Sequence, residues 1–173
     1  MAAHLNVEIK AICNDLEKAR AVLMAAGANF KGTDHQTDVY FNCPNGRLKL
    51  RCGNIEHSLI FYARENSATP KGSAVNMTQL HGDSHDLQSV LAAAWGVKVA
   101  VHKAREIYFI DNVKFHLDRV EGLGTFAEIE AIDKDGNIGA VKLHEQCNHY
   151  MQLLGIQASQ LLTHSYSDML EKQ

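Results

Sequence analysis

Residues Asn112–Ile132 read NVKFHLDRVEGLGTFAEIEAI. Val113, Phe115 and Leu117 alternate with Lys114, His116 and Asp118. Beyond Glu121-Gly122-Leu123-Gly124, Ala127, Ile129 and Ala131 alternate with Glu128 and Glu130. A period of two sends successive side chains to opposite faces of a strand, and a Gly-containing connection between two such runs predicts a hairpin. One face of this hairpin is apolar. The other carries Lys114, His116, Asp118, Glu128 and Glu130. For a lone hairpin the simpler account is a half-exposed sheet with its charged side in water, but the pattern recurs through the chain.

Toward the N-terminus, Val7, Ile9 and Ala11 alternate with Asn6, Glu8 and Lys10. A helix follows, with Asn14 as its cap, Glu17 at the capping-box position, an apolar stripe of Leu16, Ala19, Val22, Leu23 and Ala26, and Gly27 as its stop. Strands are predicted over 37–42, 47–51 and 57–65, the first two joined by the turn Cys43-Pro44-Asn45-Gly46. Arg47, Lys49 and Arg51 alternate with Leu48 and Leu50, and Tyr62 shares a face with Arg64. From Ser73 the order begins again: a strand over 74–80, then a helix capped by Asp83. That helix has Leu87, Val90, Leu91 and Ala94 on one side, Trp95 as a helix-end anchor and Gly96 as its stop. A strand over 99–110 carries Lys103 and Arg105, and Asp111-Asn112 turns into the first hairpin. Each half thus reads strand, helix, strand, strand, strand. Asp38-Val39-Tyr40-Phe41 even resembles Glu106-Ile107-Tyr108-Phe109. The expected fold class is α+β: a closed eight-stranded antiparallel β-barrel, or tunnel, built from a duplicated unit with helices packed outside. After a turn at 133–137, a helix over 138–154 buries Leu143, Cys147, Tyr150, Met151 and Leu154, and a short helix spans 165–170. The 173 residues fit one domain, 1–173.

Composition excludes several classes. A net charge of −3 gives no general pull toward nucleic acid or membrane, and no apolar run nears the roughly 20 residues that span a bilayer. MAAHLNVEIK lacks the apolar core of a signal peptide. The four cysteines (Cys13, Cys43, Cys52, Cys147) form no CxxC pair, so a reduced, cytoplasmic setting is expected. His144 and His149 are five apart, wrong for one helical face, so Cys147 reads as core rather than zinc ligand. His81 and His85 read as surface. Gly122-Leu123-Gly124 lacks the strand–helix context of a dinucleotide site, and no GxxxxGK[ST] occurs, so any triphosphate is held without a P-loop. Tyr40, Phe41, Tyr108 and Phe109 are expected to pack the barrel.

If helices cover the apolar outside of a barrel, the charged faces point inward. Lys10, Arg47, Lys49, Arg51, Arg64, Lys103, Arg105 and Lys114 then share a lumen with Glu8, Asp118, Glu128 and Glu130. Buried like charges are costly unless paired or liganded. A polyphosphate with a divalent metal fits such a lumen, because Arg and Lys engage phosphate oxygens and hard carboxylate oxygens hold Mg²⁺ or Mn²⁺.

From Asn6-Val7-Glu8-Ile9-Lys10 to Ser165-Tyr166 the chain resembles the CYTH-domain proteins of the triphosphate tunnel metalloenzymes, which include class IV adenylate cyclases and thiamine triphosphatases. Glu8 and Lys10 match the second and third defined positions of their Glu-x-Glu-x-Lys signature, and Asn6 stands at the first. The basic GRLKLR strand, Arg64, the Lys103/Arg105 pair, Asp118 in HLDRV and the Glu128/Glu130 pair follow in the family's order. The resemblance implies a tunnel in which Lys10, Lys49, Arg51, Arg64, Lys103 and Arg105 bind phosphate. It also implies that Glu8, Asp118, Glu128 and Glu130 bind Mg²⁺ or Mn²⁺, with Glu8, Lys10 and Glu130 at the catalytic centre. Arg47 and Lys114 share the alternation with less support from the motif. Three functions stay open: a metal-dependent phosphohydrolase acting on inorganic, nucleoside or thiamine triphosphate; an adenylate cyclase; and a non-catalytic polyphosphate binder, which the amide at Asn6 favours. The expected partner is a small-molecule triphosphate, with a homodimer as an open option.

Overall fold

The computed structural model describes residues 4–63 and 71–172. Eight strands occur, in the duplicated order read from the sequence. The first half is β1 (His4–Ile12), α1 (Leu16–Ala25), β2 (Asn29–Phe41), β3 (Arg47–Cys52) and β4 (Ser58–Ala63). The second is β5 (Lys71–Gln79), α2 (His85–Trp95), β6 (Val97–Ile110), β7 (Val113–Val120) and β8 (Gly124–Asp133), followed by α3 (Ala140–Leu153) and α4 (Tyr166–Leu170). All pairings are antiparallel, in the order β1-β5-β4-β3-β2-β6-β7-β8, and β1 pairs with β8 as well as with β5. The order therefore returns on itself and every strand has a partner on both sides.

The outer faces are apolar because helices cover them. Val7, Ile9, Val113, Phe115, Leu117 and Ile129 pack with Leu16 and Leu23 of α1 and Leu143 and Cys147 of α3. Val39, Phe41 and Leu50 pack with Leu87, Leu91 and Ala92 of α2. Four local expectations shift. Asp15, not Asn14, caps α1 by accepting from Lys18 N at 2.9 Å. Val90, placed on the buried side of α2, is 64% exposed, and Trp95 is 45% exposed rather than anchored. β2 begins at Asn29, well before the expected Thr37.

That extra length of β2 holds the β3–β4 loop. The buried Asp34 carboxylate accepts from Ile55 N at 2.9 Å and Glu56 N at 2.8 Å. Gly53 permits this approach, since a Cβ there would lie 2.6 Å from Asp34 Oδ1. The β6–β7 turn places Asp111 at φ 48°, a left-handed conformation that Asp tolerates better than most side chains. The four cysteines are free thiols. Among the described residues no helix is long and apolar enough to cross a membrane.

At one end the inner face is apolar as well. Tyr40, Val101, Val120 and Phe126 gather around Tyr166 of α4, with Leu162, Met169 and Leu170 packed against them. The two tetrapeptides that look alike are therefore out of phase. Tyr40 faces inward, whereas Tyr108 packs outward beside Phe115 in the α1/α3 core. Phe109, expected in barrel packing, lines the inner cavity.

Candidate functional site

Inside the sheet lies a cavity of about 570 Å³. Lys10, Lys49, Arg51, Lys103, Arg105 and Lys114 line it together with Glu8, Glu128 and Glu130. Alternation on five strands brings these side chains to one space, as the sequence pattern implied. Arg47 instead lies over a separate cleft, where it pairs with Asp168 at 2.7 Å. Arg64 lies outside the described residues.

Two carboxylate-centred clusters organise the charges. The first centres on Asp38 of β2. Its carboxylate meets Lys49 Nζ at 2.9 Å, Arg51 Nε at 2.8 Å and Nη2 at 2.9 Å, and Lys103 Nζ at 2.6 Å. Burial alone would raise its pKa, but Arg51, Lys103 and Lys49 hold it well below the ordinary carboxylate range. Lys103 is lowered to about 7, chiefly by burial and then by Arg51, Arg105 and Lys49, against the pull of Asp38. Glu56 extends this cluster across the cavity: it bonds Arg51 Nη1 at 2.7 Å and also takes Lys114 of β7.

The second cluster centres on Asp118 and Glu128. Arg105 grips Asp118 with two nitrogens at 2.8 and 2.5 Å and reaches Glu128 at 2.9 Å. Lys10 meets Glu128 at 2.9 Å and His116 Nδ1 lies 3.0 Å from it. Burial and the Arg105 charge lower His116, so its imidazole is neutral at pH 7. Tyr166 donates to Asp118 at 2.7 Å, and its ring lies 3.5 Å below the Lys10 ammonium. Burial, then Asp118 and Glu128, push the Tyr166 hydroxyl well above its ordinary value and keep it a donor.

Glu8 and Glu130 sit opposite one another on β1 and β8. Asn6 Nδ2 donates to Glu130, while Asn6 Oδ1 is buried without a hydrogen-bond partner. The expected four-carboxylate cage of Glu8, Asp118, Glu128 and Glu130 is not assembled. Among the described residues no three His, Cys, Asp or Glu side chains converge as ligands, because Arg105, Lys10 and Tyr166 occupy Asp118 and Glu128. The buried Asn6 Oδ1, unpartnered beside Glu130, is the observation that points to a hard cation.

Sequence reasoning missed Asp38, Glu56 and Tyr166 as members of the site. Asp38 had a signal, since it alternates with Val39 and Phe41 as Lys49 does with Leu48 and Leu50. Glu56 lies in a loop, where no periodicity operates.

Residues 4–166 match the CYTH domain. The chain belongs to the CYTH domain family. The Adenylate cyclase CyaB of Aeromonas hydrophila is 25% identical over 173 residues, spanning 96% of this chain and 88% of the relative. The PH1012 protein of Pyrococcus horikoshii OT3 superposes with a TM-score of 0.81 at 22% identity, over 94% of this chain and 98% of that one. HpAC1 from Hippeastrum, proposed as an adenylyl cyclase and described as having a dominant triphosphatase activity, superposes with a TM-score of 0.62 at 14% identity, over 98% and 95% of the two chains. These last two likenesses concern the fold.

Proposed function

We propose that this CYTH protein is a metal-dependent phosphohydrolase acting on a triphosphate compound, and that its ring of paired strands works as a closed tunnel around the substrate. The observation that carries this is the crowding of Lys10, Lys49, Arg51, Lys103 and Arg105 around one cavity. Lys49, Arg51, Lys103 and Lys114 face only Asp38 and Glu56 on one side of it, and that local excess of positive charge suits a polyanion. Lys49, Arg51 and Lys103, fixed as a group by Asp38, present their remaining N–H donors to phosphate oxygens. Arg105 and Lys10 do the same from the opposite cluster. Glu8, Glu130 and the Asn6 carbonyl are the groups that would hold Mg²⁺ or Mn²⁺, which supplies charge neutralisation at the phosphates. In the hydrolytic step water attacks the terminal phosphorus, the bond to its bridging oxygen breaks, and orthophosphate and a diphosphate leave. Phosphoryl transfer depends mainly on positioning and charge stabilisation, and cations set by buried carboxylates provide both.

Adenylate cyclase chemistry is the second reading, and the CyaB relative favours it. There the ribose 3′-hydroxyl attacks the α-phosphorus and pyrophosphate departs. Incubation of the purified protein with ATP, thiamine triphosphate or inorganic triphosphate and Mg²⁺ or Mn²⁺ tests both. Metal-dependent orthophosphate, lost in Glu130→Gln, supports the hydrolase. Pyrophosphate with cyclic nucleotide makes it a cyclase. Binding without any product leaves a polyphosphate-binding module.

A further inference from the structure

The strand register sets charged side chains directly opposite one another on the inner face of β6, β7, β8 and β1. Arg105 lies opposite Asp118, and Lys10 lies opposite Glu128. Both pairs close, at 2.5 Å and 2.9 Å, as opposite charges on neighbouring strands favour. Further along β7 and β8, Lys114 lies opposite Glu130. This pair does not close. Among the described residues Glu130 is in no ion pair and accepts from Asn6 Nδ2.

Lys114 instead crosses the cavity to Glu56, which also takes Arg51 Nη1 at 2.7 Å and Gln36 Nε2 at 3.0 Å. Glu56 can hold the lysine there because its loop is fixed. Asp34 accepts from Ile55 N and Glu56 N. Asn54 ties the loop to β2, accepting from His35 N at 2.6 Å and donating to Thr33 O at 3.2 Å. Burial works against a charge on Glu56, but Arg51, Lys114 and His116 hold its carboxyl well below the ordinary range. Lys134 also lines the cavity, but it lies beyond Ile132 and forms no ion pair with Glu56 or Glu130 among the described residues.

We propose that Glu56 is a positioning residue for the metal site: by holding Lys114 across the cavity it keeps the lysine off Glu130, so that this carboxylate stays available to a divalent cation beside the unpartnered Asn6 Oδ1. This rests on the metal assignment above. An ammonium and a hard cation compete for the same carboxylate oxygens, and the flexible four-carbon stem of lysine lets it reach either partner. Once Glu56 loses its charge, the carboxylate that faces Lys114 directly is Glu130.

The test is a double-mutant cycle on Mn²⁺ binding to the protein without triphosphate, in wild type, Glu56→Gln, Lys114→Met and the double variant. The electron paramagnetic resonance signal of free Mn²⁺ gives the affinity. Melting temperatures show that each protein is folded, and Glu56→Ala replaces a Gln variant that is not. Glu56→Gln should weaken Mn²⁺ binding by about tenfold. Lys114→Met should change affinity by less than about threefold in wild type, yet tighten it by about tenfold in Glu56→Gln, where the lysine covers Glu130. A general effect of charge on the cavity gives another result, the same shift from Lys114→Met in both backgrounds. Such additivity overturns the proposal and leaves the metal assignment in place, as does a Glu56→Gln protein that binds Mn²⁺ like wild type. If wild type binds no Mn²⁺, the metal assignment fails and this inference falls with it.

Discussion

The two charge clusters differ although both draw on both halves of the repeated strand order. Around Asp38 and Glu56 two carboxylates face four cations, Lys49, Arg51, Lys103 and Lys114. Around Asp118 and Glu128 two carboxylates face Arg105 and Lys10, with a neutral imidazole and a tyrosine hydroxyl completing the set. The first cluster keeps surplus positive charge and suits an anion; the second is nearly balanced before any ligand arrives. In the function proposed above, the first cluster would take phosphate and the groups next to Glu8 and Glu130 would take metal.

That contrast makes predictions, taken here from the largest effect down. Glu130→Gln removes a charged oxygen from the metal side and should lower turnover by about 10³-fold or more, with the fold intact by circular dichroism. A rate near wild type would take Glu130 out of the site. Arg105→Ala should cost about 3–5 kcal/mol in stability, because it strands the buried Asp118 carboxylate, and it should raise KM as well. Denaturant unfolding and steady-state kinetics read the two effects separately. Asp38→Asn sharpens the comparison through its sign. If Asp38 merely competes with substrate, removing its charge tightens triphosphate binding. If it positions the three cations, binding weakens by about tenfold, which is the result expected from calorimetry.

The pH dependence is smaller. Lys103, lowered to about 7, loses its charge above neutrality, so triphosphate affinity should fall several-fold between about pH 6 and pH 8. The ligand itself becomes more negative over that range, which works against the fall, and Lys103→Met should abolish it. Stability has the opposite slope. The unfolded chain keeps this proton up to an ordinary value of 10.5, so it binds more protons than the native state above about pH 7 and folding gains stability as pH rises. Smallest of all, Asn6→Glu adds a carboxylate beside Glu130 and should tighten Mn²⁺ binding by a few-fold. An unchanged titration would show that position 6 does not take part in metal binding.

Much of this was legible in the chain. Strict alternation on β1, β3, β6, β7 and β8 places Lys10, Lys49, Arg51, Lys103, Arg105, Glu128 and Glu130 inward, since a period of two permits no other arrangement once one face packs against helices. What failed was anything that depends on register or on a loop. Asp38-Val39-Tyr40-Phe41 and Glu106-Ile107-Tyr108-Phe109 look equivalent, yet a shift of one residue exchanges the faces of a strand. Asp38 therefore points at the cations, whereas Glu106 bonds Arg20 of α1 at 2.9 Å. The early half of β2 was hidden because Asp34 and Gln36 are polar residues on a buried face, which breaks the apolar/polar contrast used to recognise strands. Which cations would capture Asp118 and Glu128 is a matter of three-dimensional proximity, and no spacing in the sequence encodes it.

The most direct test of the central claim is a calorimetric titration of ATP into wild-type protein and into Lys103→Met, in the presence of Mg²⁺. Saturable binding at one site per chain, weakened about tenfold or more by the substitution, is the predicted result. Absence of binding to wild type, or equal affinity in the two proteins, would contradict a triphosphate held in this cavity by the cations around Asp38.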